Sequence, residues 1–554
     1  MTPSRPRPAP STILAIVLGV GVPAAFVAIF FVWPVAGMVG RGLFADGSLD
    51  LGGFGDVLAR PRTQRLIALT VGQAALASVV CVILGLPIAH VLYRLRFRGQ
   101  RMLRALVVLP FVLPTVVVGV AFRTLLREGG LLGGLHLDGT FAAIMLALVF
   151  FNVAVVVRTV GNAWEGLDSR QEEAARVLGA GPVRVWLTVT LPRLAPAIAS
   201  AASIVFLFCS TAFGVVLVLG GTRFGTIETE IYLLTTQFLD LRAASVLSVT
   251  QLVVVVLLLL VAARARGRRT AQRRIDAERS RRAPAIGDVP AVAVTLLVAA
   301  FLALPIVALV LRSLHTADGW GVGNYVALGG TGSRNALVVP VWEALANSLV
   351  VAVQATAIAL VIGLAASLVI SRRPRSAGLR RALAGFDGAL MLPLGVSAVT
   401  VGFGFLITLN QPPFDLRSSP VLVPIAQALV ALPLVVRTVL PVLTAIDGRM
   451  RESAAVLGSA PWRVLRDVDL SIVARPVVAA SGFAFAVALG EFGATSFLSR
   501  PDRPTLPVVI FRLIGLPGGD NLGMALAASV VLAAVTVGVI ALVERLRVGT
   551  MGAF

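Results

Sequence analysis

The chain carries one apolar run after another, each close to the length that crosses a lipid bilayer. The runs fall near 12–39, 64–93, 103–126, 139–162, 196–219 and 243–263, and again near 291–312, 342–370, 383–409, 420–445, 476–498 and 521–544. A helix rises about 1.5 Å per residue, so about 20 residues cross a hydrocarbon core roughly 30 Å thick. Inside lipid no water satisfies backbone polar groups, so runs of this length must be helical. The spacing predicts an all-α polytopic membrane protein of about 12 spans, arranged as six plus six. Composition agrees: 14% of residues are charged, against about 25% in a soluble domain.

Charge gives the topology. The net charge is +21, and every basic residue is Arg, because the chain contains no Lys. The arginines collect in short connections, where the positive-inside rule places them, so the basic balance does not point to nucleic acid. Arg94, Arg96, Arg98, Arg101 and Arg104 follow the second run; nine arginines lie between Arg264 and Arg282; Arg372, Arg373, Arg375, Arg380 and Arg381 follow the eighth. The alternate connections 127–138, 220–242, 313–341 and 499–520 read as loops with little net charge. One orientation puts all the clusters inside, with both termini cytoplasmic. Residues 264–290 form a basic cytoplasmic linker between a first half, 1–263, and a second, 291–554. Residues 12–39 are too long for the apolar core of a secretory leader and read as a first span. Cys81 and Cys209 lie inside apolar runs and give neither a disulfide framework nor a metal-ligand spacing.

The two halves repeat each other. Glu173-Ala174-Ala175, three residues, Gly179, nine residues and Val189-Thr190-Leu191-Pro192 return as Glu452-Ser453-Ala454, Gly458 and Val468-Asp469-Leu470-Ser471, without a gap at an offset of 279. Val157-Arg158-Thr159-Val160 and Val436-Arg437-Thr438-Val439 share that offset, as do Phe213-Gly214 and Phe492-Gly493. Leu109-Pro110 with Gly119 resembles Leu392-Pro393 with Gly402. Both halves start on the same side, so the repeats are parallel, related by an axis along the membrane normal, with one pathway expected between them.

The repeated segments, 168–192 and 447–471, lie in equivalent cytoplasmic connections. In the first, Asp168 and Ser169 suit an N-cap, Ser169 with Glu172 has capping-box spacing, and Glu173 adds negative charge to the first turn. Gly179 stands where a C-cap glycine stops a helix, and Pro182 starts a second short helix that should stop before Pro192. In the second, Asp447 caps, Gly458 stops and Pro461 restarts. The expected product is a short helical pair along the cytoplasmic face.

These residues resemble the hallmark of the permease subunits of ATP-binding-cassette importers, E-A-A, three residues, G, nine residues, I-x-L-P. Val189 takes the Ile position, and the second copy departs at Ser453 and Ser471. The resemblance implies the type I importer transmembrane fold, with each segment a coupling helix seated on an ATPase subunit. It assigns that contact to Glu173, Ala174, Ala175, Gly179, Glu452, Ser453, Ala454 and Gly458. It implies two ATPase copies, which would hold the ATP and magnesium, and an extracytoplasmic solute-binding protein. The chain itself would carry no cofactor and no enzymatic activity. A phosphate-cradling loop of the G-x-x-x-x-G-K-[ST] kind needs a Lys, and there is none.

Two fused halves of this length resemble the ferric-iron and thiamine importers. Val149-Phe150-Phe151-Asn152, Leu217-Val218-Leu219-Gly220-Gly221, Thr226-Ile227-Glu228 and Leu489-Gly490-Glu491-Phe492-Gly493 resemble the thiamine type, although the iron type shares much of this framework. Sulfate and polyamine permeases are related alternatives. An ion-coupled secondary transporter and a membrane scaffold are rivals from other classes, and neither accounts for the duplicated segment.

Glu491 is the leading candidate for the cargo path, because a charge at membrane depth lines a cavity or pairs. Its counterpart is Ala212, so any such site is asymmetric. Asn152, Gln73 and Gln354 are polar groups inside spans, suited to interhelix hydrogen bonds or to cargo contact. Arg158 and Arg437 read as snorkelling anchors. Pro110, Pro114 and Pro393 should kink their spans.

Overall fold

A computed structural model describes residues 17–548, apart from 46, 169, 222, 266–281, 317–318, 373–375, 411–414 and 417–418. The described chain is helical, with two small antiparallel hairpins, Phe44–Ala45 with Ser48–Leu49 and His315–Thr316 with Gly319–Trp320. Each hairpin follows the first long helix of a half.

Ten helices repeat in the same order in each half. The first half contains α1 (Gly19–Leu43), α2 (Pro61–Arg94), α3 (Gln100–Val112), α4 (Thr115–Leu126), α5 (Phe141–Glu165), α6 (Arg170–Val177), α7 (Pro182–Ser210), α8 (Gly214–Leu219), α9 (Ile227–Thr236) and α10 (Leu241–Ala265). The second contains α11 (Val289–Ser313), α12 (Val341–Ile370), α13 (Ala377–Met391), α14 (Ala398–Thr408), α15 (Leu422–Ala445), α16 (Gly448–Val456), α17 (Pro461–Gly490), α18 (Thr495–Leu498), α19 (Leu506–Gly515) and α20 (Gly519–Val548). Helix n of the first half matches helix n + 10 of the second. Among the described residues, nine helices are long and apolar enough to cross a membrane, or ten if one bent pair counts as a span.

The difference from twelve straight spans has a local cause. The third run is α3 and α4, bent by 105° at Leu113-Pro114. Pro114 has no N–H for a continuing helix, and it holds its predecessor extended (Leu113 ψ 142°). The ninth run breaks in the same way: a 3-10 turn, Leu392–Gly395, carries Pro393 between α13 and α14. The kinks expected at Pro114 and Pro393 are therefore full breaks, whereas Pro110 lies inside α3 and does not break it. Two connections read as loops also contain buried helix, α9 within 220–242 and α19 within 499–520. Each has only 10 residues, too few to cross a bilayer alone.

Within each half, α2, α5 and α7, or α12, α15 and α17, pack on one another. Glycine sets the closest approach. A Cβ on Gly85 would lie 2.7 Å from Val156, and one on Gly363 would lie 2.8 Å from Val435. Both distances are below any real contact, so only Gly lets these spans meet there.

The first helices cross between the halves. Besides α10 of its own half, α1 packs on α12, α14 and α15 of the second, and besides α20 of its own half, α11 packs on α2, α3 and α4 of the first. Val27 and Phe31 join the core around Leu429 and Leu432, while Val298 and Leu302 join the core around Phe122 and Phe150. The sequence repeats are therefore interlocked bundles, and neither closes its core alone. The linker is also anchored at its end. Arg282 forms an isolated bridge with Leu95, accepting from Arg96 N–H at 2.9 Å and donating to Arg94 O at 3.0 Å. Its guanidinium forks onto Asp288 at 2.6 and 2.7 Å, and His90 Nε2 sits 2.9 Å from the same carboxylate. Most of the linker arginines, and Arg373 and Arg375, lie outside the described residues.

Candidate functional site

Two regions of the fold match across the halves in detail. The first is the pair of repeated segments. Helices α6 and α16 each begin at an Asp whose carboxylate accepts a backbone N–H two residues on, Asp168 from Arg170 and Asp447 from Arg449, both at 3.0 Å. Each stops at a left-handed glycine, Gly179 (φ +82°) and Gly458 (φ +79°), where a side chain would be strained. The expected caps and stops are present. Ser169, which would complete the capping box, lies outside the described residues.

The expected second short helix is not separate. From Pro182 the chain runs without interruption to Ser210, and from Pro461 to Gly490. Pro192 does not end it, because a π turn over Trp186–Thr190 opens the backbone just before it. The second copy keeps the π turn, Leu465–Leu470, although Ser471 replaces the proline. Each repeated segment is thus one short helix beside the foot of a long one.

That foot is clamped. In the first half, Glu172 accepts from the Arg94 guanidinium at 3.0 Å and from the Thr190 hydroxyl at 2.9 Å. One carboxylate ties together α6, the end of α2 and the foot of α7. In the second half, Asp469 accepts from Arg372 and from Arg451, both at 2.7 Å. Arg451 and Asp469 stand where Glu172 and Thr190 stand, 279 residues on. The same three elements are joined, but the carboxylate has moved from the short helix to the foot of the long one. The first clamp also borders a cavity of about 320 Å³, lined by His90, Trp164, Arg176 and Trp186 among others.

Beyond the clamps, the short helices present their ends to solvent. Val177 and Leu178 are 88% and 87% exposed, and their counterparts Val456 and Leu457 are 87% and 85% exposed. Val183 and Trp462, another equivalent pair, are also exposed. Of the motif residues, Glu173, Ala174, Gly179, Glu452, Ser453 and Gly458 are exposed, and Ala175 and Ala454 are half-buried.

The second region lies between the halves, at the other ends of α7 and α17. Phe213 and Phe492, equivalent residues, stack on each other with centroids 5.4 Å apart and planes 17° apart. Each has a further aromatic neighbour at an equivalent position, Tyr232 at 5.4 Å and Phe511 at 5.2 Å. Phe497 meets Tyr232 edge-on at 5.5 Å. The two halves therefore meet, at equivalent positions, in an aromatic plug. The short helices cross over beside it: α9 packs on α14, and α19 packs on α4. At the first crossing Ser397 donates to Glu228 Oε2 at 2.6 Å, and Glu228 is fully buried.

The four residues expected to line a path do not converge. Glu491 is buried, but its oxygens accept from its own chain: the Ala494 N–H at 2.7 Å, the Thr495 N–H at 3.0 Å and the Thr495 hydroxyl. It holds the turn into α18. Gln73 and Asn152 both reach Cys209 inside the first bundle: Gln73 donates to its O at 3.3 Å, and Asn152 to its Sγ at 3.3 Å and to Leu148 O at 2.9 Å. Gln354 faces outward and is exposed. Arg158 and Arg437 are exposed too.

Comparison with known proteins decides the class. Residues 81–275 match the family described as binding-protein-dependent transport system inner membrane component. The molybdenum transport system permease protein of Mycobacterium tuberculosis (strain ATCC 25618 / H37Rv) is 37% identical over 210 residues, covering 36% of this chain and 79% of the relative. The chain belongs to the binding-protein-dependent inner-membrane permease family. The thiamine transport system permease protein of Brucella abortus (strain 2308) is 27% identical over 492 residues, 84% of this chain and 86% of the relative. Its counterpart in Escherichia coli (strain K12) is 28% identical over 461 residues, 80% and 82% of the two chains. The chain is a fused two-half permease of an ATP-binding-cassette importer. One relative matches along most of its own length to about a third of the permease, while others match along most of both chains, as a duplicated architecture requires.

Two parts of the permease site were not visible in its sequence. The clamps escape an alignment of the halves, because Glu172 aligns with Arg451 and Thr190 with Asp469. Glu228 sits in a segment read as a loop with little net charge. Its signal is its place in Thr226-Ile227-Glu228, which resembles the thiamine type.

Proposed function

We propose that the permease imports thiamine, driven by two copies of an ATPase seated on α6 and α16, with both termini cytoplasmic. The observation that carries the ATPase contact is the paired exposure of Val177-Leu178 and Val456-Leu457. Apolar side chains this exposed, at matching places and rimmed by polar residues, mark a protein interface. Their identical framing by an Asp cap and a left-handed Gly makes two equivalent seats, one for each ATPase copy.

The geometry supplies a lever. Each seat is clamped to the foot of α7 or α17. Each of those helices leads to one ring of the Phe213–Phe492 stack, roughly a membrane thickness away. When ATP draws the two ATPase copies together, the seats move with them and the rings part. A binding protein then delivers cargo on the side away from the clamps. ATP and magnesium would sit in the ATPase, and the permease would contribute no catalytic group.

The cargo reading rests on the thiamine permeases that match along most of the chain, and it places thiamine ahead of iron, sulfate or polyamines. The interface chemistry agrees, because buried carboxylates and aromatic rings favour a cation with aromatic character. The test is uptake of radiolabelled thiamine in cells with and without the permease gene. Loss of high-affinity uptake on deletion, restored by the gene, is expected; unchanged uptake would sink the cargo reading.

A further inference from the structure

We propose that the Glu228 carboxylate is the cargo-recognition group of the transport path, taking the positive ring of the substrate when the aromatic stack between the halves parts. This rests on the reading of the cargo as thiamine, an aromatic cation.

The buried acids at the interface differ in how they are satisfied. Glu230, two residues on in α9, is matched by the Arg62 guanidinium through bonds of 2.6 and 2.8 Å. Glu491 is saturated by backbone amides and Thr495. Glu228 is fully buried, has one oxygen on the neutral hydroxyl of Ser397, and has an Oε1 with no hydrogen-bond partner among the described residues. A buried, half-satisfied carboxylate at membrane depth is costly and marks a functional position.

Its position fits that work. Glu228 lies where α9 of one half crosses onto α14 of the other, so its contact with Ser397 spans the two halves. Tyr232, one helical turn on, shares its face of α9 and is already in the plug. A cation held by the carboxylate would have an aromatic face beside it. Thr400, one turn beyond Ser397, is also buried, with no partner for its hydroxyl among the described residues, which adds a polar group from the second half. The site is asymmetric: the position equivalent to Glu228 is Pro507.

The test measures thiamine uptake kinetics in membranes containing the full transporter, with permease content checked for each variant. Glu228→Gln, which keeps the Ser397 contact but not the charge, should raise the KM at least about tenfold. Glu228→Asp should recover part of the affinity. Ser397→Ala removes the hydrogen bond and keeps the carboxylate, so its KM should stay near wild type. A wild-type KM for Glu228→Gln, or equal losses for Glu228→Gln and Ser397→Ala, would overturn the assignment and leave a packing role. Absence of thiamine uptake by the wild type would instead overturn the cargo reading, and this assignment with it.

Discussion

Leu178→Asp combined with Leu457→Asp is expected to strip the ATPase from the permease and abolish uptake, while the permease itself remains folded in the membrane. Both side chains are more than four-fifths exposed in the isolated chain, so the substitutions remove no internal packing. Their value appears only on docking, when each buried Leu contributes roughly 1.5–3 kcal/mol. An Asp in the same place must be desolvated without a partner. Loss at one seat should leave ATPase bound at the other but without the paired closure. Loss at both should lower co-purified ATPase by about tenfold or more. Pull-down of the tagged permease and its melting profile check the two halves of this expectation. Retention of the ATPase with a normal melt would remove these tips from the interface.

The second large effect concerns the clamps. Arg451→Glu places a new carboxylate beside Asp469, which is fully buried, leaving only Arg372 to answer both. Breaking a buried pair costs about 3–5 kcal/mol. Arg372 is 46% exposed, which lowers the expected figure to about 2–4 kcal/mol. The first half supplies the remedy. Adding Asp469→Thr rebuilds the arrangement of Glu172 and Thr190, with Arg372 in the place of Arg94. The single variant should therefore lose coupling between ATP hydrolysis and uptake, and the double variant should recover most of it. A double-mutant cycle on uptake measures this directly. If the double variant is as impaired as the single, the two clamps are not interchangeable devices.

The duplication, the helical class and the caps and stops of the two repeated segments were legible in the chain because each depends on local signals. Apolar length marks the spans, Asp168 and Asp447 mark helix starts, and Gly179 and Gly458 mark stops that need a left-handed backbone. The breaks were half legible: Pro114 and Pro393 announce a disturbance, but the 105° bend depends on what packs against it. The crossing of α1 and α11 between the halves was not legible, since any apolar helix face fits several apolar partners and the choice is made by shape. The continuous α7 was misread because Pro192 normally ends a helix, and a π turn is invisible in sequence. Glu491 drew attention for its charge, yet its carboxylate closes on its own backbone, which only the turn at Gly493 reveals.

The central claim, that the repeated segments are two seats for one kind of motor, is tested most directly by site-specific cross-linking. Both native cysteines, Cys81 and Cys209, are buried, so cysteines introduced at Leu178 and Leu457 would be the reactive ones. Each single variant should cross-link to the ATPase, and the double variant should yield one permease chain joined to two ATPase copies. Cross-linking from only one position, or from neither in a transport-competent complex, would contradict the account.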